Sequence, residues 1–260
     1  MGLIYAHSFL KYKIVTPENI LLVEKNAERR DSLQALNIGK VVTTADDSIS
    51  DSDLVILSVK PQDFNELAPD IASHLKPETI VLSIMAGIEL QSIQAALQHR
   101  HVVRAMPNSP VEIGMGMTVF TSSNTFTPEQ ILRVENLLAT TGRTLYVEKE
   151  ELMNAVTALS GSGPAYFYYF VQHLIQAGND MGLDERTSST LAKQTMLGAF
   201  HLINNANKPL DELIKAVASK GGTTEAALNT FEQNGMGRTI IEALKNAEKR
   251  AEELSQGLKK

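Results

Sequence analysis

Two glycine-containing segments in the second half of the chain carry the residue types of an anion site: Ser160-Gly161-Ser162-Gly163-Pro164 and Lys220-Gly221-Gly222-Thr223-Thr224. Each precedes a helical stretch, so the free N–H groups and the positive dipole end of a helix start lie beneath a flexible backbone. The second segment adds two hydroxyls and a cation. A small carboxylate suits either one, and ordinary helix capping is the competing account of each alone.

In the first half, the chemistry-bearing residues stand just behind short apolar runs. Glu24 can accept hydrogen bonds from the diol of an adenosine ribose, which favours NAD, whereas Lys25, Arg29 and Arg30 suit a 2′-phosphate. Plain surface charge explains them equally well. Ser58, Val59, Lys60 and Pro61 frame a rigid turn whose backbone can border a cofactor. In Met85-Ala86-Gly87 the glycine permits close backbone approach. Two prolines stiffen the chain about Asn108, so Met106, Pro107 and Asn108 can wall a nicotinamide or substrate pocket, or simply form a rigid connector.

These residues need a scaffold, and the hydrophobic pattern supplies one. Apolar runs at 20–23, 41–42, 54–59, 80–84 and 101–105 read as strands. They alternate with helical stretches at 3–10, 27–36, 64–74 and 90–97, the pattern of a parallel, doubly wound sheet. A hairpin-like run follows at 117–121. Thr127-Pro128-Glu129-Gln130 then has Thr at the N-cap, Pro at N1 and Gln at N3 of a capping box, and a strand at 144–147 closes the half. From about residue 149 only helical periodicity remains. In the last helix Ile240, Leu244, Ala247, Ala251 and Leu254 share one stripe. The expected domains are therefore 1–149, sheet-based and ligand-binding, and 150–260, all-helical.

Composition narrows the chemistry. The chain has 260 residues, 43% hydrophobic and 21% charged, which fits a folded globular protein. The net charge of -6 offers no basic field for nucleic acid. With no Cys and no HExxH-type pairing among the six His, metal-free chemistry is expected. The longest strongly apolar stretch, 80–88, is too short to span a bilayer, and no export signal opens the sequence, so a cytoplasmic location and no membrane partner are expected.

Over essentially its whole length the sequence resembles the pyrroline-5-carboxylate reductases. The resemblance is carried by Ala155-Val156-Thr157-Ala158-Leu159-Ser160-Gly161-Ser162-Gly163-Pro164-Ala165-Tyr166 and Ser219-Lys220-Gly221-Gly222-Thr223-Thr224. Met106-Pro107-Asn108, Val59-Lys60-Pro61 and Ala86-Gly87 support it. It implies a Rossmann-like parallel-sheet domain binding NADPH or NADH, followed by a helical domain that interlocks with a second subunit as a homodimer, often within rings of dimers. Each active site would draw on both chains. It further implies hydride transfer to the C=N carbon of the small-molecule substrate 1-pyrroline-5-carboxylate, giving L-proline. The substrate carboxylate would be held by Gly221, Gly222, Thr223 and Thr224 together with Ser160 and Gly161. The Thr224 hydroxyl would lie near the ring nitrogen, as the catalytic contact.

Two departures stand out. Lys220 occupies a position where many relatives have Pro, and Met1-Gly2 matches only the end of the family's glycine-rich dinucleotide loop. The expectation is that the sheet domain is N-terminally truncated by about a dozen residues, the first strand and leading glycines being missing, with weakened cofactor binding. Two alternatives remain: a non-catalytic dimeric remnant of the family, and a related imine or hydroxyacid dehydrogenase. The hydroxyacid enzymes place a Lys on the helix after their glycine-rich loop, and 164–172 contains none.

Overall fold

The computed structural model describes residues 1–257. The chain divides into two compact units. The first comprises Met1–Ser162 with the stretch from Ala247 onward, and the second is Gly163–Asn246.

The first unit opens with helix α1 (Gly2–Lys11), strand β1 (Leu21–Val23), α2 (Ala27–Ala35) and β2 (Lys40–Val42). There follow β3 (Leu54–Leu57), α3 (Phe64–Ala72), β4 (Ile80–Ser83), α4 (Leu90–Leu97) and β5 (Val102–Pro107). Then come β6 (Gly116–Ser122), α5 (Pro128–Leu138), β7 (Gly142–Tyr146) and α6 (Leu152–Val156). The strands form a five-stranded sheet in the order β3-β4-β5-β6-β7 and a separate parallel pair β1-β2. Only the β5–β6 pairing is antiparallel. Leu21 of β1 and Val55 of β3 pack on one core cluster, yet no ladder joins their strands.

Every residue of β4 and β5 is buried, as expected for strands covered on both faces. Ile80, Leu82, Val103, Ala105 and Phe120 meet α1 and α5 on one side through Tyr5, Phe9, Val134 and Leu138. Val81 and Val102 meet α3 and α4 on the other through Phe64, Ile71, Ile93 and Leu97. The period of two along each strand sorts these side chains between the two layers. Helix α5 starts where the sequence says it should: Thr127 accepts from the Gln130 N–H, and the Gln130 side chain accepts from the Thr127 N–H.

The second unit contains α7 (Gly163–Asp180), α8 (Glu185–Asn205), α9 (Leu210–Val217), α10 (Thr223–Gln233) and the first half of α11 (Met236–Gly257). In α7 through α10 the buried residues are small: Gly163, Gly178, Ser188 and Ala192. A Cβ at Gly178 would lie 2.6 Å from Ser188 Oγ, so α7 and α8 cross closely there. The packing boundary at Ser162 lies beyond the 149/150 boundary read from the pattern, because residues 150–162 are bound to β5 and its neighbours, as described next. No helix among the described residues is long and apolar enough to cross a membrane.

Candidate functional site

Strands β3, β4 and β5 are parallel neighbours, so the segments leaving their carboxyl ends line one edge of the sheet. Ser58, Val59, Lys60 and Pro61 leave β3. Pro61 opens a short 3-10 turn into α3, closed by the Asp63 N–H donating to Lys60 O at 2.9 Å, which confirms a rigid turn at this place. At the start of α1, Gly2 faces this segment: a Cβ there would come within 2.5 Å of Ser58 Oγ. Met1 is the N-cap of α1 and brings no side-chain cap, and the first turn contains no acidic residue. The helix start beside Ser58 thus keeps its positive character, which suits a phosphate.

Glu24 follows β1 with its side chain 20% exposed. Its carboxylate accepts the Asn26 N–H at 2.9 Å and lies 3.6 Å from Arg29 Nε. Arg30 donates to the carbonyl oxygens of Glu24 and Lys25, and the Lys25 side chain pairs with Glu66. The acid and the cations are therefore interlocked at the strand end.

Ala86 and Gly87 follow β4. Gly87 has φ +77°, a conformation L side chains rarely adopt, and another part of the chain lies close against it. The approaching group is α11: a Cβ at Gly87 would lie 3.2 Å from Leu254 Cβ.

Met106 and Pro107 belong to β5 itself rather than to the loop read from the sequence, paired with Val119 and Thr118 of β6. The antiparallel partner prolongs the strand past the point where its own apolar run ends. Asn108 then closes the turn, its Oδ1 accepting the Met117 N–H at 2.8 Å.

The first glycine segment requires a correction. Residues Thr157–Gly161 form a π-helical turn running directly from α6, and the Ser162 N–H donates to Thr157 O at 2.9 Å. The expected flexible loop with free N–H groups is absent there, because the glycines are accommodated inside a nearly continuous helix. The turn nevertheless sits beside the strand-end residues. Asn108 Nδ2 lies 3.5 Å from Ser160 Oγ, and a Cβ at Gly161 would lie 3.3 Å from Met106 Sδ. Ala86, Met106, Val119, Met153 and Val156 share one small apolar cluster beneath them.

The second segment opens α10 as expected. Gly222 is the N-cap without a side-chain bond, and Thr223 and Thr224 are the first two helical residues. The Gly221 N–H donates to Glu225 Oε2 at 2.7 Å, a self-cap the motif reading missed, although a Glu three residues past the N-cap is its sequence signal. Lys220 is exposed. Sequence reasoning also missed Arg104 and Glu150, which join at 2.9 Å behind Met106; a charged residue within an apolar strand was the available sign.

Comparison with known proteins follows these two regions. Residues 150–254 match the family profile described as pyrroline-5-carboxylate reductase dimerisation, and residues 1–87 match one described as NADP oxidoreductase, coenzyme F420-dependent. The pyrroline-5-carboxylate reductase of Pseudomonas aeruginosa is 36% identical, over 96% of this chain and 92% of that protein. A pyrroline-5-carboxylate reductase structure from Coxiella burnetii superimposes with TM-score 0.87 at 27% identity, covering 98% of this chain and 94% of that one. A pyrroline carboxylate reductase structure from Plasmodium falciparum, with NADP bound, has the same TM-score and coverage at 24% identity.

Proposed function

The chain belongs to the pyrroline-5-carboxylate reductase family, and from that premise we propose how its residues divide the work. The reaction is the reduction of 1-pyrroline-5-carboxylate to L-proline in proline biosynthesis, for which NAD(P)H supplies the hydride.

On this reading the start of α1, with Met1 and Gly2, faces the cofactor phosphates together with Ser58, Val59, Lys60 and Pro61. Glu24 and Lys25 meet the adenosine end. Ala86, Gly87, Met106, Pro107 and Asn108 border the reactive end. The substrate carboxylate meets the Gly221, Gly222, Thr223 and Thr224 segment, where the N–H groups of Gly221 and Gly222 already donate to Glu225 and Ser219 and those of Thr223 and Thr224 open the helix; Ser160 and Gly161 are assigned to the substrate as well. A helix start binds a carboxylate through both its dipole and its unpaired N–H donors. The Thr224 hydroxyl hydrogen-bonds the ring nitrogen as its charge changes. No strong general base is required, because a protonated imine is already electrophilic.

The observation that supports the substrate assignment is the start of α10, where Gly222 is the N-cap without a side-chain bond and Thr223 and Thr224 are the first helical residues. The helical domain pairs two copies of the chain, such dimers extending to rings, in the cytoplasm and without nucleic-acid or membrane partners. The test follows NAD(P)H oxidation with pyrroline-5-carboxylate in the parent and in Thr224→Val. We expect kcat to fall by about 10- to 100-fold, in line with losing one hydrogen bond to a charged group, while the cofactor KM holds. An unchanged kcat removes Thr224 from the chemistry.

A further inference from the structure

Arg104 lies in the middle of β5 with only 1% of its surface exposed. Its Nη1 donates to Glu150 Oε1 at 2.9 Å, while Nε and Nη2 are buried with no hydrogen-bond partner among the described residues. The same Glu150 oxygen accepts the backbone N–H of Leu90, the first residue of α4, at 2.8 Å. A single carboxylate oxygen thus joins β5, the head of α4 and the segment entering α6.

Each of the three joined segments leads to residues assigned above. Along β5, Met106 follows Arg104 on the same face, and Asn108 comes next after Pro107. Leu90 stands three positions after Gly87. Glu150 precedes α6, which continues into the π turn containing Ser160 and Gly161. That turn returns to β5, with Ser160 beside Asn108 and Gly161 beside Met106. The cofactor-side and substrate-side segments of the first unit therefore close a ring whose polar link is Arg104–Glu150.

We propose that Arg104 and Glu150 are a positioning pair that fixes the 86–87 turn, the end of β5 and the 157–161 turn relative to one another. The proposal rests on the site assignment above. Stability alone does not account for such a pair: apolar residues of similar volume in place of a buried ion pair are often neutral or stabilising, whereas removing one partner strands a charge. Positioning does account for it, since misplacement by about 1 Å can cost about 100-fold in rate. Neither side chain is assigned a contact with substrate or cofactor, so both act through the residues they hold.

The test compares the full chain with Glu150→Gln, Glu150→Ala and the doubly apolar Arg104→Met/Glu150→Leu. Amide hydrogen exchange is read over 86–90 and 157–162, together with kcat, both KM values and the melting temperature. In the double variant we expect exchange in both segments to quicken and kcat to drop by about tenfold or more at a melting temperature near the parent's. Glu150→Gln keeps an oxygen for Leu90 and Arg104 and recovers most of the loss; Glu150→Ala does not. Unchanged exchange in a folded double variant, or kcat within about twofold of the parent, overturns the proposal. If the double variant does not fold, the same criteria apply to Glu150→Ala against Glu150→Gln, and equal behaviour of these two overturns it. A parent inactive on pyrroline-5-carboxylate would sink the site assignment instead, while the exchange comparison would still decide whether the pair holds the segments.

Discussion

The two units of this chain solve the problem of burying apolar surface in opposite ways. In the first, large side chains such as Tyr5, Phe64, Phe120, Leu82 and Leu97 lie almost wholly inside. In the second, the interior of α7 and α8 is closed by glycine, serine and alanine, while Phe167 is 59% and Phe200 51% exposed, with Tyr168, Tyr169, Leu202, Ile203 and Ile241 also outward. Apolar exposure on this scale marks an association surface. The first unit carries its own core; the second leaves large apolar side chains outside, in keeping with the matched profile, whose description is dimerisation.

The strongest way to break this contrast is to place charge on the exposed face. Phe167→Glu combined with Phe200→Glu is expected to weaken self-association by about a thousandfold or more, because buried unpaired carboxylates cost several kcal/mol. Sedimentation should show monomers, and a dimer persisting at parental affinity would show that the interface lies elsewhere. The converse change is Phe120→Ala. Phe120 is fully buried, with its ring 5.2 Å from Tyr146, so its loss should cost about 3–5 kcal/mol in the first unit's unfolding without altering the dimer.

A smaller effect is expected at the start of α10. Glu225→Ala removes the acceptor of the Gly221 N–H and should cost about 1 kcal/mol of stability, a typical capping loss, read as a small fall in melting temperature with little change in kcat. If kcat falls instead, the glutamate touches the chemistry.

The mildest prediction concerns acid. Burial holds the His99 pKa below its ordinary value of 6.5, against the opposing bond between its Nε2 and Thr79 O, with His101 and Arg100 nearby adding to the depression. The folded state therefore resists protonating a ring that the unfolded chain protonates freely. Stability is full above about pH 6.5 and declines as pH falls below it. His99→Gln should flatten that decline in the first unit's melting curve; an unchanged slope would assign the acid sensitivity to other groups.

Much of this was legible in the sequence, and the exceptions have a common physical origin. Thr127 to Gln130 announced the start of α5 because a capping box is local: the residues that make it lie within four positions. The strand ends bearing Lys60 and Gly87 were legible for the same reason. Met106 and Pro107 were read as loop because their strand character depends on β6, a partner whose register the local pattern does not encode. The π turn at 157–161 was read as an open loop because glycine and proline normally interrupt helices, and packing against Met106 overrode that preference. Arg104 and Glu150 are 46 positions apart, and no local rule pairs them.

Helix α11 gives the first unit a discontinuous chain path. Its amino-terminal half belongs to the second unit, while Ala251 and Ser255 are buried in the first and Leu254 lies against Gly87. During synthesis the sheet is translated before the second unit, but the helix that lies against the turn after β4 is completed after it, so the first unit completes its packing only after the second has been made. Long-range contacts of this kind are slow to form. Until they do, the turn at Gly87 lacks the Leu254 contact, and exposed surface of this kind favours misassembly.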